Sequence, residues 1–490
     1  LITNIEKNYL YSIFLLLILC IAPHSNAQQV LWANKNNLDK RTEFTKVIGQ
    51  NKYGVYVLKH KNSSFKRYFI IELFDKKMNL LKTKTFKIPG ASLQKIVVHK
   101  TGLLYFTKSY GKGFTFSLKV NGIDSTFNDY PIANAVNSLD IGNQNIDFNV
   151  DYTIQRDKFL VWYLVDKNDS TSLNYHLFST SKNLINGSIN IPYKTTQIYI
   201  KDLCLDSLQN IYFVNSVSSK FKSKNPEDFQ HYFLAHNIYN KSNFSYLINN
   251  EKTFINSYRI NYNPSFHNII LTGLYGEKDE DENIGFFNIV LDCKTQKIQQ
   301  SKFNVFDRSL IADIIGFKNE EKGENLSKFV IKRTIPRTDG GMLIIAERVF
   351  ITTQSDIFYI NGIPQSNYAR IFNNDEVILL NIDSNLNVAW TDIIHKNQAS
   401  VNDGAYYNSV ITMVSDENVY ILYNDKLSAN SDIIQVTYDA NGNKTQKILL
   451  NNEQYFALVI PAEYNQVSSN SAVLPIFLNH REFTYIKLIY

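Results

Sequence analysis

The densest concentration of groups able to grip a ligand falls in one short stretch: Lys332, Arg333, Arg337, Asp339, Glu347 and Arg348. Arginine presents a planar fork of donors that matches a carboxylate or phosphate, and lysine adds a point charge. Such a cluster suits an anionic glycan, a carboxylate or the acidic surface of a partner protein. The same residues allow a plainer reading. Asp339-Gly340-Gly341 has the composition of a tight turn, and Glu347 can pair with a neighbouring arginine as surface ion pairs commonly do.

Other chemistries find less support. The nine histidines are dispersed, with no His-x-His or HExxH spacing, so no metal centre is expected. There is no Gly-x-Ser-x-Gly elbow and no phosphate-cradling glycine loop, which leaves serine-hydrolase and nucleotide chemistry without their usual signatures. Two acidic loops, 277–282 and 439–443, carry oxygens that suit calcium. The first reads better as a solvated hairpin tip. The second lacks the closing glutamate of a calcium loop and fits an Asn-Gly turn. No cofactor is assigned. Cys204 and Cys293 each fall inside a predicted strand; one bridge between them is open in an oxidising compartment, with two buried thiols preferred. The balance of 51 basic against 45 acidic residues gives +6, scattered along strand-like runs, which reads as solvated sheet faces and not as a nucleic-acid footprint.

What must position these groups is almost entirely β. Runs of roughly five to nine β-branched and aromatic residues recur every 10 to 15 positions or so, bounded by Asp, Asn, Gly or Ser, the pattern of antiparallel strands joined by hairpins. The clearest unit, 404–450, holds four runs (407–414, 419–423, 433–438, 445–450). Grouping the chain by fours gives units of about 45 to 60 residues, the period of propeller blades. Tyr and Phe supply nearly all of the 13% aromatic content, suited to filling narrow spaces between sheets. The tail, 455–490, has room for three strands, and an orphan strand at 29–33 can complete its sheet. The expectation is an all-β chain: a single β-propeller of eight four-stranded blades, with seven as the alternative, its ring closed by pairing of the N-terminal and C-terminal strands. The sixth unit, 329–395, departs most, with a long insertion at 353–375 and a charged segment, 318–327, before it.

The hairpins Asp206 to Phe213 and Asp416 to Leu422, and the run Asn381-Ile382-Asp383-Ser384-Asn385-Leu386-Asn387-Val388-Ala389-Trp390, resemble repeats of secreted bacterial β-propellers of the SBBP and quinoprotein-like kind. The stretch from Asp339 to Glu347, with 377–390 and Ile394 to Gln398, is similar to uncharacterised exported propeller proteins of Bacteroidota. The resemblance implies blade geometry and export without specifying chemistry. With three tryptophans in the chain, quinone binding does not carry over. Asp124-Ser125-Thr126, Asp169-Ser170-Thr171 and Asp206-Ser207-Leu208 resemble the periplasmic O-glycosylation pattern of that lineage, though Asp-Ser is also ordinary turn chemistry.

Lys7, the apolar run 10–22 and Ser25-Asn26-Ala27 read as a cleaved signal peptide over 1–27, leaving 28–490 as the propeller domain. The functional expectation is an exported, non-enzymatic binding or scaffold protein of the cell envelope, placed in the periplasm first and at the surface or outside second. It is expected to act as a monomer or a subunit of a hetero-complex. Its partner is an envelope protein or a glycan, met through 353–375 and 318–327. The alternative is a glycan- or peptide-processing propeller enzyme with an axial active site.

Overall fold

The computed structural model describes residues 28–490 apart from 34–41, 64–65, 89, 112–114, 141–145, 154, 168–169, 180–182, 193–197, 219–227, 249–252, 278–280, 361–362, 429–430, 452–455 and 479–481. The signal-peptide segment lies outside the described residues. The described chain is almost wholly antiparallel sheet, laid out as successive four-stranded meanders: 42–86, 91–140, 149–191, 198–247, 254–305, 329–394 and 411–450, which we number as the first to seventh sheets. In an eighth sheet, Glu482–Ile489 is flanked by Ser471–Leu478 and by the N-terminal strand Gln29–Trp32, with Gln29 opposite Ile489.

The apolar pattern explains the stacking. A strand inside a meander is covered on both faces by neighbouring sheets, so it reads as a continuous apolar run. Asn210–Ser218 and Asn268–Gly276 are buried at every position. The fourth strands are wetter; Lys444–Leu450 exposes its first five residues. Each sheet packs on the next through its own apolar cluster: Tyr56 with Leu103, Phe106 with Phe159, Tyr175 with Phe213, Phe233 with Phe287, Phe286 with Ile344, Ile345 with Ile421, and Leu422 with Leu474. A further cluster places Tyr485 of the eighth sheet beside Phe74 of the first. Meanders stacked face on face in this way are the architecture of a β-propeller.

The third-to-fourth-strand turns share one device. In the first, second, sixth and seventh sheets an aspartate (Asp75, Asp124, Asp383, Asp439) ends the third strand, and its Oδ1 accepts the N–H groups two and four residues on. The residue three places after each aspartate is left-handed: Met78, Phe127, Leu386 and Gly442, with φ between 62° and 86°. Three of the four are not glycine, and the carboxylate hydrogen bonds hold the turn in that less favoured region. At Asp439 the other oxygen accepts from Asn443 Nδ2 at 2.7 Å, so the expected Asn-Gly turn accounts for the loop 439–443.

Three expectations need correcting. The insertion at 353–375 is not a loop: Met342–Ile360 and Ile363–Ile382 form one long antiparallel hairpin, in register down to Ile360 opposite Ile363. Two short helices, Arg308–Ile315 and Phe317–Glu320, precede the sixth sheet. Asp307 caps the first through Ser309 N (2.8 Å), and Leu310 and Ile311 seat it against the core. The acidic loop 277–282 is not simply a solvated tip. Glu282 is buried, accepts from Asn325 Nδ2 at 2.9 Å, and pairs with Ser327 in a two-stranded ribbon. The charged segment 318–327 is thereby strapped down.

Candidate functional site

The six residues singled out in the sequence do not converge. Arg333 lies on Phe329–Pro336, the first strand of the sixth sheet. Its guanidinium donates to Thr412 O, to Tyr464 Oη (3.4 Å) and to Gln466 Oε1 (3.3 Å), joining the first strands of the sixth, seventh and eighth sheets. Arg337 and Asp339 occupy the turn that follows. Arg337 pairs with Asp339 and donates to Asn381 Oδ1 at 2.7 Å, while Asp339 accepts from Gly341 N at 2.9 Å. This is the tight-turn reading. Lys332, Glu347 and Arg348 sit near the other end of the same strands.

That end is an ionic base buried under the long hairpin. Glu347 is fully buried; Lys396 Nζ lies 2.8 Å and Lys332 Nζ 3.2 Å from its carboxylate, which also accepts from Ser409 Oγ (2.6 Å) and Asn374 Nδ2 (2.9 Å). Burial alone would raise this carboxyl, but the two ammonium groups and the hydrogen bonds outweigh it and hold Glu347 below the usual carboxylate range. Lys396, its side chain 1% exposed, is pushed down by burial, against the pull of Glu347. It also donates to Asn374 O (2.7 Å) and Gln398 Oε1 (3.1 Å), and Gln398 Nε2 reaches Asn424 O of the seventh sheet at 2.6 Å. Two sheets therefore grip the hairpin's root.

The register shifts here: Glu347 faces Val377 but Val349 faces Asn374, so Arg348 stands opposite Asp375 and Glu376. Arg348 pairs with Glu376 at 3.6 Å. Its guanidinium and Lys328 Nζ each lie 5.4 Å from the Phe350 ring. A bulge of this kind bends and twists a strand, and beyond it the hairpin leaves the sheet.

Past the bulge, 349–374 forms a projecting ribbon. Gln398–Val401 lines its second strand from Ile371 to Asn374. On its first strand the outer edge, from Phe350 onward, has no strand partner among the described residues. Phe350-Ile351-Thr352-Thr353-Gln354-Ser355 carries no charge and no proline, the devices by which proteins usually blunt an open edge. Residues 351–355 are exposed, Ile351 at 57%, and Tyr368 across the ribbon is 66% exposed. An edge of this kind can accept an added strand.

Sequence reasoning missed Lys396, Gln398, Asn374 and Ser409, which come from three other segments. The one available signal was a lysine close behind the apolar pair Ile393-Ile394, with His395 between them. It also missed Asp151 and Asp202 near the first strands of the third and fourth sheets. Burial, the leading cause, raises both carboxyls; Asp151 accepts from Trp162 Nε1 (2.8 Å) and Asp202 from Ile260 N (2.9 Å).

No protein-family model matches the chain, and no curated protein is detectably similar to it in sequence. The resemblance to SBBP and quinoprotein-like repeats is thus shown no further than the propeller architecture. Among solved structures the chain is similar to the β-propeller domain of the Trilobed protease from Pyrococcus furiosus (12% identity, 84% of this chain and 100% of that one, TM-score 0.36). It is also similar to a post-proline cleaving enzyme from Rickettsia typhi (10% identity, 89% of this chain, TM-score 0.39) and to a eukaryotic initiation factor (9% identity, 91% of this chain and 95% of that one, TM-score 0.38). The chain spans 57% of the length of the Rickettsia enzyme. No helix among the described residues is long and apolar enough to cross a membrane.

Proposed function

We infer that this protein is an exported, non-enzymatic binding propeller of the cell envelope that captures a partner protein by strand addition to its ribbon. The ring has eight blades and is closed by the N-terminal strand pairing beside the C-terminal one. Eight clusters that run from sheet to sheet and back to the first support that count. The observation that carries the binding reading is the uncharged edge at 350–355, without a strand partner among the described residues and held out on a root that two sheets fix. The occupant is an extended, uncharged segment of another protein. Its main-chain groups would pair with the edge, and its side chains would meet Ile351 on one face of the ribbon. An axial enzyme would draw instead on Asp151 and Asp202, but both carboxylates are already engaged within the wall.

The test introduces gatekeepers on the exposed edge, Ile351→Lys with Thr353→Lys. Wild-type protein should retain an envelope protein from detergent extract, and its amides at 350–355 should gain hydrogen-exchange protection in that complex. The variant should lose both. Equal capture by the variant, or capture with no protection of those amides, would refute strand addition. Protection that rises with the protein's own concentration, without extract, would make the occupant a second copy.

A further inference from the structure

A second opening lies at the other end of the strands, independent of the ribbon. The ribbon grows from a second-to-third-strand connection, whereas this cavity of about 590 Å³ is walled by first-to-second-strand turns of the first, second and third sheets and by Asn465, Gln466 and Val467 of the eighth. Its lining holds three cations, Lys52, Lys100 and Arg156, and no aspartate or glutamate. Five side-chain amides, Thr101, His99 and two valines complete the lining.

The wall is pre-arranged. Asn51 Nδ2 donates to His99 O at 3.0 Å while its Oδ1 accepts from Tyr53 N at 2.9 Å. Asn465 Nδ2 donates to Ile48 O at 3.2 Å. Gln466 accepts from Val414 N (3.2 Å) and from Arg333 (3.3 Å), so Arg333, read in the sequence as a ligand-gripping group, braces the cavity from behind. Arg156 crosses from the third sheet to the first. Its own backbone is left-handed (φ 53°) in the turn closed by Arg156 N to Thr153 O at 2.8 Å, and its guanidinium sits 5.4 Å from the Tyr152 ring.

The first sheet makes room for it. Gly49, at a bulge in Thr42–Asn51, has φ 149°, and a Cβ there would come within 3.2 Å of Arg156 Nη1 and 3.3 Å of Val98. Among the described residues neither Arg156 nor Lys100 has a carboxylate partner. Two cations without carboxylate partners among the described residues, on a concave wall that also carries side-chain amides, raise the local concentration of anions, and a guanidinium matches a carboxylate or phosphate with two parallel hydrogen bonds.

We propose that this cavity binds a small hydroxylated oxyanion, a carboxylate or phosphate carried on a sugar-sized frame, with Arg156 and Lys100 on the charge and the wall amides on the hydroxyls. The volume suits a mono- or disaccharide.

Isothermal titration of the full chain with glucuronate, glucose 6-phosphate and glucose tests this. One of the two anions should bind at one site per chain, and which one answers whether carboxylate or phosphate is the natural group. Glucose should give no saturable heat. Binding should weaken with added salt, and the pair Arg156→Gln with Lys100→Gln should reduce affinity by about tenfold or more with an unchanged circular dichroism spectrum. The proposal is overturned if neither anion binds at millimolar concentration, if glucose binds as well as the anions, or if the double variant keeps wild-type affinity. The ribbon variant Ile351→Lys with Thr353→Lys should bind the anion normally, which separates this site from the partner-binding one.

Discussion

Replacing Glu347 by Gln keeps the shape of the side chain but removes the one negative charge within the buried base. Lys396 would then hold its ammonium, 1% exposed, against neutral acceptors only, Asn374 O and Gln398 Oε1. Breaking a buried pair from one side typically costs about 3–5 kcal/mol. Gln can still accept from Ser409 and Asn374, so the lower end, about 3 kcal/mol, is expected. Because a many-sheet chain need not unfold in one step, the sensitive readout is local. Hydrogen exchange at 371–374 and 398–401 should quicken by roughly two orders of magnitude, since each 1.4 kcal/mol is about tenfold.

Adding Lys396→Met should recover much of the loss, because removing both charges removes the desolvation burden as well. The pH dependence has a definite sign. Glu347 is held below its unfolded value, so its contribution is complete above about pH 4.3 and is lost as pH falls through the lower folded value. The gap between wild type and Glu347→Gln should therefore narrow in acid. Exchange unchanged in the single variant, or a double variant as damaged as the single, would refute the view that this pair anchors the ribbon.

Two further outcomes follow from buried polar groups elsewhere. Tyr485 Oη meets Thr45 Oγ1 at 2.6 Å between the eighth and first sheets, and Tyr485→Phe should lower stability by about 1–2 kcal/mol in urea titration, by leaving the buried threonine hydroxyl unpaired. His231, with Nδ1 2.7 Å from Ser216 Oγ, is lowered by burial to about 4. Its ring should stay neutral in NMR titration at pH 5, and its share of stability, complete above the unfolded value near 6.5, should fall away as pH drops toward 4.

The strands were legible because interior strands carry short β-branched, aliphatic and aromatic runs, as Ile211 to Val214 within Asn210–Ser218 and Ile269 to Thr272 within Asn268–Gly276. The match between Asp206 to Phe213 and the segment after Ser415 also holds in space, since both are first-to-second-strand turns. The orphan strand found its place beside Glu482–Ile489. The ribbon was missed although Asn361-Gly362, midway along the insertion, is a strong two-residue hairpin signal; its flanks, 354–360 and 363–369, lack the strict apolar-polar alternation of a half-buried strand. The helix Arg308–Ile315 spans only two turns, too few for a 3.6-residue period to stand out. The six candidate residues were close in sequence, but Lys332, Arg333, Glu347 and Arg348 lie on two antiparallel strands whose side chains alternate between opposite faces, and Arg337 and Asp339 lie in the turn between them. Arg333 thus reached Thr412 of the seventh sheet and Gln466 of the eighth while Lys332 went to Glu347. Neither the cavity nor the ionic base was readable, because the cavity is assembled from four sheets and the base from segments of two.

The placement of charge in this fold follows from where rigidity is needed. An edge strand that must accept a partner gains most if it is already extended, because association then forfeits little conformational freedom. Residues 351–355 of the ribbon are exposed, so burial there does not fix its direction. The Glu347, Lys332 and Lys396 group supplies that direction at the root, where Glu347, Asn374 O and Gln398 Oε1 of the sixth sheet surround Lys396 and Gln398 in turn donates to Asn424 O of the seventh, leaving one geometry satisfied. An apolar replacement there would match or exceed its stability but would tolerate slippage at the bulge between Glu347 and Val349, and with it a change in which face Ile351 presents. The ionic base is therefore better explained by the register it enforces than by the free energy it contributes.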